Sequence, residues 1–331
     1  MTLGVVFPGQ GSQRVGMLSE AAGAYPVVQA TFTEASDALG YDLWSLVSED
    51  PQERLGLTEF TQPAILTASV ALYRACVAEH QISPIAAAGH SLGEYSALVA
   101  AGVLSLADGA TLVSKRGAAM QKAVPVGEGG MAVVLGLEDA VVSQVCDAIS
   151  TPDAFVGGVN FNAPGQVVIA GDAKAVAGAV SALKEAGARR AMPLPVSAPF
   201  HTPLMQPAAV VMADAFDGVA WSEPSFPVVS NVDGALQTST EAIKASLVNQ
   251  ISMPVLWTQC VKTLQIAGCD QFIECGPGNV LCGLSKRIDK TVPIKSIESV
   301  AALEAGLSDL WRTAILLDHW QFLPFASDRQ F

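Results

Sequence analysis

Positive charge is scarce in this sequence. Lysine and arginine total 18 against 31 aspartates and glutamates over 331 residues, a formal net charge of −13, and no basic run is interleaved with aromatics. Such a chain lacks the electrostatic footprint of a nucleic-acid binder. Long apolar runs are missing too: half of the residues are hydrophobic, yet no uninterrupted stretch approaches the ~18 residues of a membrane span. The opening Met1-Thr2-Leu3-Gly4-Val5-Val6-Phe7-Pro8 has no basic region and meets proline early, so no signal peptide is expected. Six cysteines include no C-x-x-C pair and none beside a histidine. Buried thiols in a reducing cytoplasm are therefore expected, rather than disulfides or a zinc site. Repeats and low-complexity segments are absent, and histidine occurs only four times.

What the chain does hold is enough apolar material for a large core, and one large domain with a smaller one is expected. The most informative stretch is Gly89-His90-Ser91-Leu92-Gly93. Before it, Ile85 to Ala88 reads as a buried strand; after it, Tyr95 to Val103 reads as a helix of small residues. Strand, sharp turn and helix are the context in which G-x-S-x-G marks a nucleophile, with a tight structural turn as the alternative. The turn would lift the Ser91 hydroxyl out of the sheet and leave N–H groups at a helix start to hold charge on a reacting carbonyl oxygen.

Around that centre, Leu3 to Phe7 reads as a strand followed by the loop Pro8-Gly9-Gln10-Gly11-Ser12-Gln13, which lacks the lysine of a P-loop. Residues 17–48 read as helical with a break at Tyr25-Pro26, and a long helix is expected from Gln62-Pro63, proline occupying its first turn. Leu106 to Ala123 reads as a helix carrying Lys115 and Arg116. Between Met131 and Val196 the pattern changes to β-α-β-β-α-β, the order of a ferredoxin-like unit inserted into the larger domain. Helices are then expected over Leu204–Phe216, Ala242–Gln250, Val255–Ala267, Val280–Lys286 and Leu303–Leu317. Strands are expected at Pro227–Ser230, at Phe272–Glu274 and near Ile294.

A serine nucleophile needs a base. His80 and His319 read as bystanders, and His90 as a residue that shapes the turn. His201, held between Pro199 and Pro203 after the insert, is the better base, against a capping or core histidine. Asp233 or a backbone carbonyl could orient it. Arg116 would bind a carboxylate bidentately, if it is not a bystander on a helix surface.

Taken together, Phe7-Pro8-Gly9-Gln10-Gly11-Ser12-Gln13, Thr61-Gln62-Pro63-Ala64, Gly89-His90-Ser91-Leu92-Gly93-Glu94, Arg116-Gly117, Phe161-Asn162-Ala163-Pro164-Gly165-Gln166, Pro199-Phe200-His201 and Gly276-Pro277-Gly278-Asn279 resemble malonyl-CoA:acyl carrier protein transacylases. The resemblance runs in order to about residue 310. It implies an α/β-hydrolase-like large subdomain (1–127 and 198–310) and a ferredoxin-like insert (128–197), while the C-terminal tail (311–331) departs from the family. It implies Ser91 as nucleophile, His201 as base and later acid, and the N–H groups of Gln10 and Leu92 as the oxyanion hole. Arg116 would clamp the malonyl carboxylate, carbonyls near Asn231 and Gln250 would orient His201, and Asn162 would line the cleft from the insert.

The implied activity is ping-pong transfer from malonyl-CoA to holo acyl carrier protein in fatty acid or polyketide synthesis, by a cytoplasmic monomer without cofactor or metal. Leu92 and Phe200 resemble malonyl-selecting members. Lys115, Arg189-Arg190 and Lys286-Arg287 are candidate docking charges on an otherwise acidic chain. Trp320, Phe322, Phe325 and Phe331 in the tail suit either core packing or a partner interface. A thioester hydrolase and a non-catalytic carrier-binding scaffold are the competing classes.

Overall fold

The computed structural model of the chain describes residues 2–196 and 198–305. The strand β1 (Leu3–Phe7) is followed by α1 (Ser19–Ala24), α2 (Pro26–Leu39), α3 (Leu43–Ser48) and the long α4 (Thr58–His80). Next come β2 (Ala86–Gly89), α5 (Gly93–Ala100) and α6 (Leu106–Ala123). The middle of the chain holds β3 (Gly129–Leu135), α7 (Asp139–Ile149), β4 (Val156–Ala163), β5 (Gln166–Asp172), α8 (Ala173–Glu185) and β6 (Arg190–Pro193). It closes with α9 (Gln206–Phe216), β7 (Val228–Val229), β8 (Leu236–Gln237), α10 (Thr240–Gln250), α11 (Trp257–Ile266), β9 (Gln271–Glu274), α12 (Val280–Ile288) and β10 (Ile294–Ser296).

The result is a mixed α/β protein with two sheets. One has the order β10-β9-β1-β2-β7-β8, parallel except for the edge strand β8. Its central strands β1, β2 and β9 are buried at every position, which is why they read as short apolar runs and not as alternating ones. The other sheet, β4-β5-β3-β6, is antiparallel throughout. One of its faces packs on α7 and α8 through Val142, Cys146, Val176 and Leu183. The opposite face, with Met131, Val159 and Val168, packs on Phe200. The small sheet is tied to the segment between α10 and α11, where Val255 donates to the Val159 carbonyl at 2.8 Å and accepts from the Phe161 N–H at 2.9 Å.

Several expectations shift. The long helix starts at Thr58, so Pro63 lies inside it and not in its first turn. Its first residue packs closely on α6: Gly117 presents no side chain there, and a Cβ would lie 2.5 Å from the Thr58 carbonyl oxygen. The strand expected to reach Val196 ends at Pro193, and the turn after Asn231 returns as the unforeseen β8. Of the helix expected over 303–317 and the aromatic tail, only 303–305 falls within the described residues; 300–305 is helical. All six cysteines are free and buried. Among the described residues no helix is long and apolar enough to cross a membrane, and no cluster of His, Cys, Asp or Glu could hold a metal.

Candidate active site

The loops after β1 and β2 meet at the carboxyl ends of the parallel strands, where open α/β sheets place their ligands. Ser91 sits there in the left-handed backbone region, with φ of 52°. Its two flanking glycines make that turn possible. A Cβ at Gly89 would lie 1.8 Å from the Gly93 carbonyl carbon, and one at Gly93 would lie 2.2 Å from the Phe7 carbonyl oxygen. The strained peptide is gripped from both sides: the Ser91 N–H donates to Asn231 Oδ1 at 2.7 Å, and Gln250 Nε2 donates to the Ser91 carbonyl at 2.9 Å.

Ser91 Oγ lies 2.7 Å from His201 Nε2, and His201 Nδ1 lies 2.8 Å from the Gln250 carbonyl oxygen. A carbonyl can only accept, so the imidazole carries its proton on Nδ1 and leaves Nε2 free to receive the serine proton. His201 is 4% exposed. Burial, and after it the Arg116 charge, pushes its pKa down from 6.5 to about 3, so the ring is neutral near pH 7.

Arg116 shares the inner face of α6 with Leu112 and Met120, one turn to either side, and is 1% exposed. Its Nη1 donates to Gln62 Oε1 at 2.9 Å, while Nη2 donates to Gln250 Oε1 at 2.9 Å and to Ser91 Oγ at 3.2 Å. Among the described residues it makes no ion pair; the salt bridges found are Arg14–Glu298 and Arg74–Glu34. Its guanidinium carbon also lies 5.7 Å from the Tyr95 ring centroid, and a buried guanidinium whose hydrogen bonds go to neutral oxygens favours an incoming anion. Behind it, Glu94 is also buried, and burial raises its carboxyl from 4.5 to about 7.

These groups open onto a cavity of about 220 Å³ whose polar end holds Gln10, Ser91, Arg116 and His201. Its walls are apolar, with Met131 and Val168 from the small sheet and Leu281 and Leu284 from α12. No described residue accepts from the backbone N–H of Gln10 or Leu92, and both residues line the cavity.

Two expected positions differ. His90 does more than shape the turn: its ring enters the cleft, with Nε2 2.7 Å from Asn162 Oδ1 on β4. The Asn231 carbonyl accepts from the Leu256 N–H and does not orient His201; the Asn231 side chain holds the elbow instead. Asp233 is exposed and bonds the Ala235 N–H. Gln62 and Glu94 belong to the site although they stood only as parts of quoted motifs. Their spacing carries no signal of it, because their partners are far along the chain. Of the basic candidates, Arg287 alone reaches a cavity residue, donating to Gln166 Oε1; Lys115 faces a separate surface hollow with Lys122 and Val211.

A serine on a strand-to-helix elbow, a neutral histidine within hydrogen-bond reach and a buried cation beside it, set on a mostly parallel sheet, form an arrangement suited to acyl transfer. The chain belongs to the acyl transferase domain family, whose model matches residues 5–319, beyond the end expected near 310. Within that family it is 52% identical over 303 residues to the malonyl CoA-acyl carrier protein transacylase of Salmonella typhimurium, covering 92% of this chain and 98% of the relative. The Escherichia coli K12 enzyme of the same name is 50% identical over 302 residues, covering 91% and 97%. Among solved structures, a malonyl-transacylase in complex with its type II polyketide acyl-carrier protein aligns with a TM-score of 0.91 at 48% identity, covering 93% of this chain and all of that one. The Xanthomonas oryzae malonyl-CoA:acyl carrier protein transacylase aligns with a TM-score of 0.91 at 50% identity, covering 93% and 99%.

Proposed function

We propose that this chain moves the malonyl group from malonyl-CoA to the phosphopantetheine thiol of holo acyl carrier protein, through an ester on Ser91, for fatty acid or polyketide synthesis in the cytoplasm. The observation that carries the reading is Arg116, a buried cation with no described carboxylate partner, whose Nη2 is 3.2 Å from Ser91 Oγ. A malonyl thioester attacked by Ser91 brings a free carboxylate to that place. An ordinary esterase has no use for such a cation. The relatives' shared name supports the same substrate pair.

In the first half-reaction Ser91 Oγ gives its proton to His201 Nε2 while bonding to the thioester carbon. Charge on the carbonyl oxygen is met by the N–H groups of Gln10 and Leu92. The C–S bond then breaks, and the departing sulfur of CoA takes the proton from His201. In the second half the carrier thiol passes its proton to His201 and attacks the ester carbon; Ser91 Oγ leaves and recovers the proton. Both halves develop the same oxyanion, so one pair of donors serves both. Neutralisation of Arg116 by the malonyl carboxylate would also remove one of the charges that hold His201 acidic.

The six-stranded unit (1–127 and 198–310) reads as α/β-hydrolase-like and residues 128–197 as a ferredoxin-like insert that supplies the opposite cleft wall through Asn162. Residues 311–331, the expected tail, lie outside the described residues. The carrier's arm would run between Leu194 and Val280, with Arg287 at the rim to meet an acidic partner.

The test is intact mass spectrometry of the chain after malonyl-CoA, then after holo carrier, with Ser91→Ala alongside. A malonyl adduct that needs Ser91 and moves to the carrier is expected. An adduct released as free malonate with or without carrier would instead make the protein a hydrolase, and no adduct would favour the scaffold.

A further inference from the structure

Glu94 is a buried carboxylate that the transfer steps leave without a role. It is 2% exposed and stands in the first turn of α5, directly behind the nucleophile. Its Oε2 accepts from the Asn231 N–H at 3.1 Å and from Gln250 Nε2 at 2.8 Å. The same Gln250 nitrogen donates to the Ser91 carbonyl at 2.9 Å, while Gln250 Oε1 accepts from Arg116 Nη2 at 2.9 Å. The amide can therefore face only one way. Reversed, it would set its oxygen against the Ser91 carbonyl, which only accepts, and its NH2 against a guanidinium, which only donates; Glu94 in its ionised form adds a second acceptor on the nitrogen side. Of the three groups that fix this orientation, ionised Glu94 and Arg116 make charge-assisted bonds, one on each side of the amide, and the Ser91 carbonyl makes a neutral one.

We propose that Glu94 is a positioning residue for acyl choice: by fixing the Gln250 amide it holds the Arg116 guanidinium beside Ser91, where the carboxylate of the acyl group must lie. Glu94 touches neither the acyl group nor the serine hydroxyl, and the proposal rests on the malonyl reading above. The route is short, from Glu94 Oε2 through one amide to Nη2. Its consequence is selective. Losing Glu94 should impair transfer of an acyl group that bears a carboxylate far more than one that does not. The Gln250 main chain keeps its hold on His201 throughout, because that contact uses the carbonyl and not the side chain.

The test compares the full-length chain with Glu94→Gln, Glu94→Leu, Gln250→Met and the Glu94→Leu/Gln250→Met double variant. Rates of carrier acylation are measured with malonyl-CoA and acetyl-CoA, together with melting temperature. Glu94→Gln keeps an oxygen for both N–H donors, so the ratio of kcat/KM for malonyl over acetyl should stay within about threefold of wild type. Glu94→Leu should lower that ratio at least about tenfold, as loss of one hydrogen bond to a charged group would. Gln250→Met should lower it likewise, and the double variant no further, since both act through one contact. Equal loss of both acyl groups in Glu94→Leu, an unchanged ratio, or a ratio that falls as far in Glu94→Gln would each overturn the proposal. Should Glu94→Leu fail to fold, Glu94→Asp, whose carboxylate is drawn back by one methylene, carries the same test: a ratio equal to wild type overturns it. Failure of the malonyl reading shows separately, as a wild-type chain that does not favour malonyl over acetyl, and takes the proposal with it.

Discussion

His201 takes its orientation from Gln250, whose main-chain carbonyl oxygen lies 2.8 Å from Nδ1. The carbonyl does the orienting that an aspartate performs in a Ser-His-Asp triad, and it adds no negative charge next to the imidazole. Asp233, the acid that the sequence offers for that place, is exposed and engaged with the Ala235 N–H. Asp233→Asn should therefore keep kcat/KM within about twofold of wild type, as for other surface substitutions. A fall of several orders of magnitude would restore an acidic triad member.

Arg116→Ala removes the guanidinium but leaves Ser91 and His201 in place. Transfer of malonyl should drop about 10²-fold, the value of the charged hydrogen bonds lost, while acetyl transfer gains relative to it. Paired assays with the two CoA thioesters read this directly. An unchanged acyl preference would remove the clamp from the account.

The pH dependence of stability has two opposing parts. His201 titrates near 3 in the fold against an ordinary 6.5, so the unfolded chain binds the extra proton and stability is lost as pH falls through that range. Glu94 titrates near 7 against 4.5; here the folded chain binds the extra proton, so stability is lost as pH rises through 7. Glu94→Gln abolishes only the second part. Its melting temperature should gain on wild type between about pH 5 and pH 8, and a constant difference across that range would contradict the raised carboxyl pKa.

Gly93→Ala should unfold the elbow. A Cβ there meets the Phe7 carbonyl oxygen at 2.2 Å, backbone on a central strand that cannot yield. A loss of about 3 kcal/mol or more is expected in denaturant melts. A soluble variant of wild-type stability would mean that β1 and α5 can separate.

Charge reversal at the cleft rim tests docking. Arg287 contacts Gln166, which lines the cavity, whereas Lys115 faces a separate hollow. Arg287→Glu should raise the KM for carrier about fivefold or more, leave self-acylation by malonyl-CoA unchanged, and flatten the dependence on salt. Lys115→Glu should do none of these. The reverse pattern would move the docking face to α6 and α9.

Much of the site could be read from local sequence because its main device is local. The elbow needs small residues at Gly89 and Gly93 and a strand and helix on either side, all within fifteen residues. The helices around it could be read for the same reason: Leu106–Ala123 begins after a serine whose side chain caps it and ends where its apolar spacing stops. The strands of the parallel sheet were legible as buried apolar runs, but not their order. Pairing β1 with β2 joins Gly4 to Ala86, and pairing it with β9 joins Leu3 to Gln271, contacts far beyond the reach of local propensity.

By itself, then, the sequence determined which side chains were present to react and which elements would carry them: Ser91 on a turn, Arg116 on a helix face, His201 in a rigid loop. Tertiary structure alone decided what each one touches. Gln250 acts through its carbonyl on His201, through its oxygen on Arg116 and through its nitrogen on Glu94 and Ser91. His90 meets Asn162 across the cleft. The physical reason is range: turn and helix propensities act over a few residues, whereas a buried hydrogen bond forms wherever packing brings donor and acceptor together. Nothing in the spacing of Glu94 and Gln250, 156 residues apart, records that they meet.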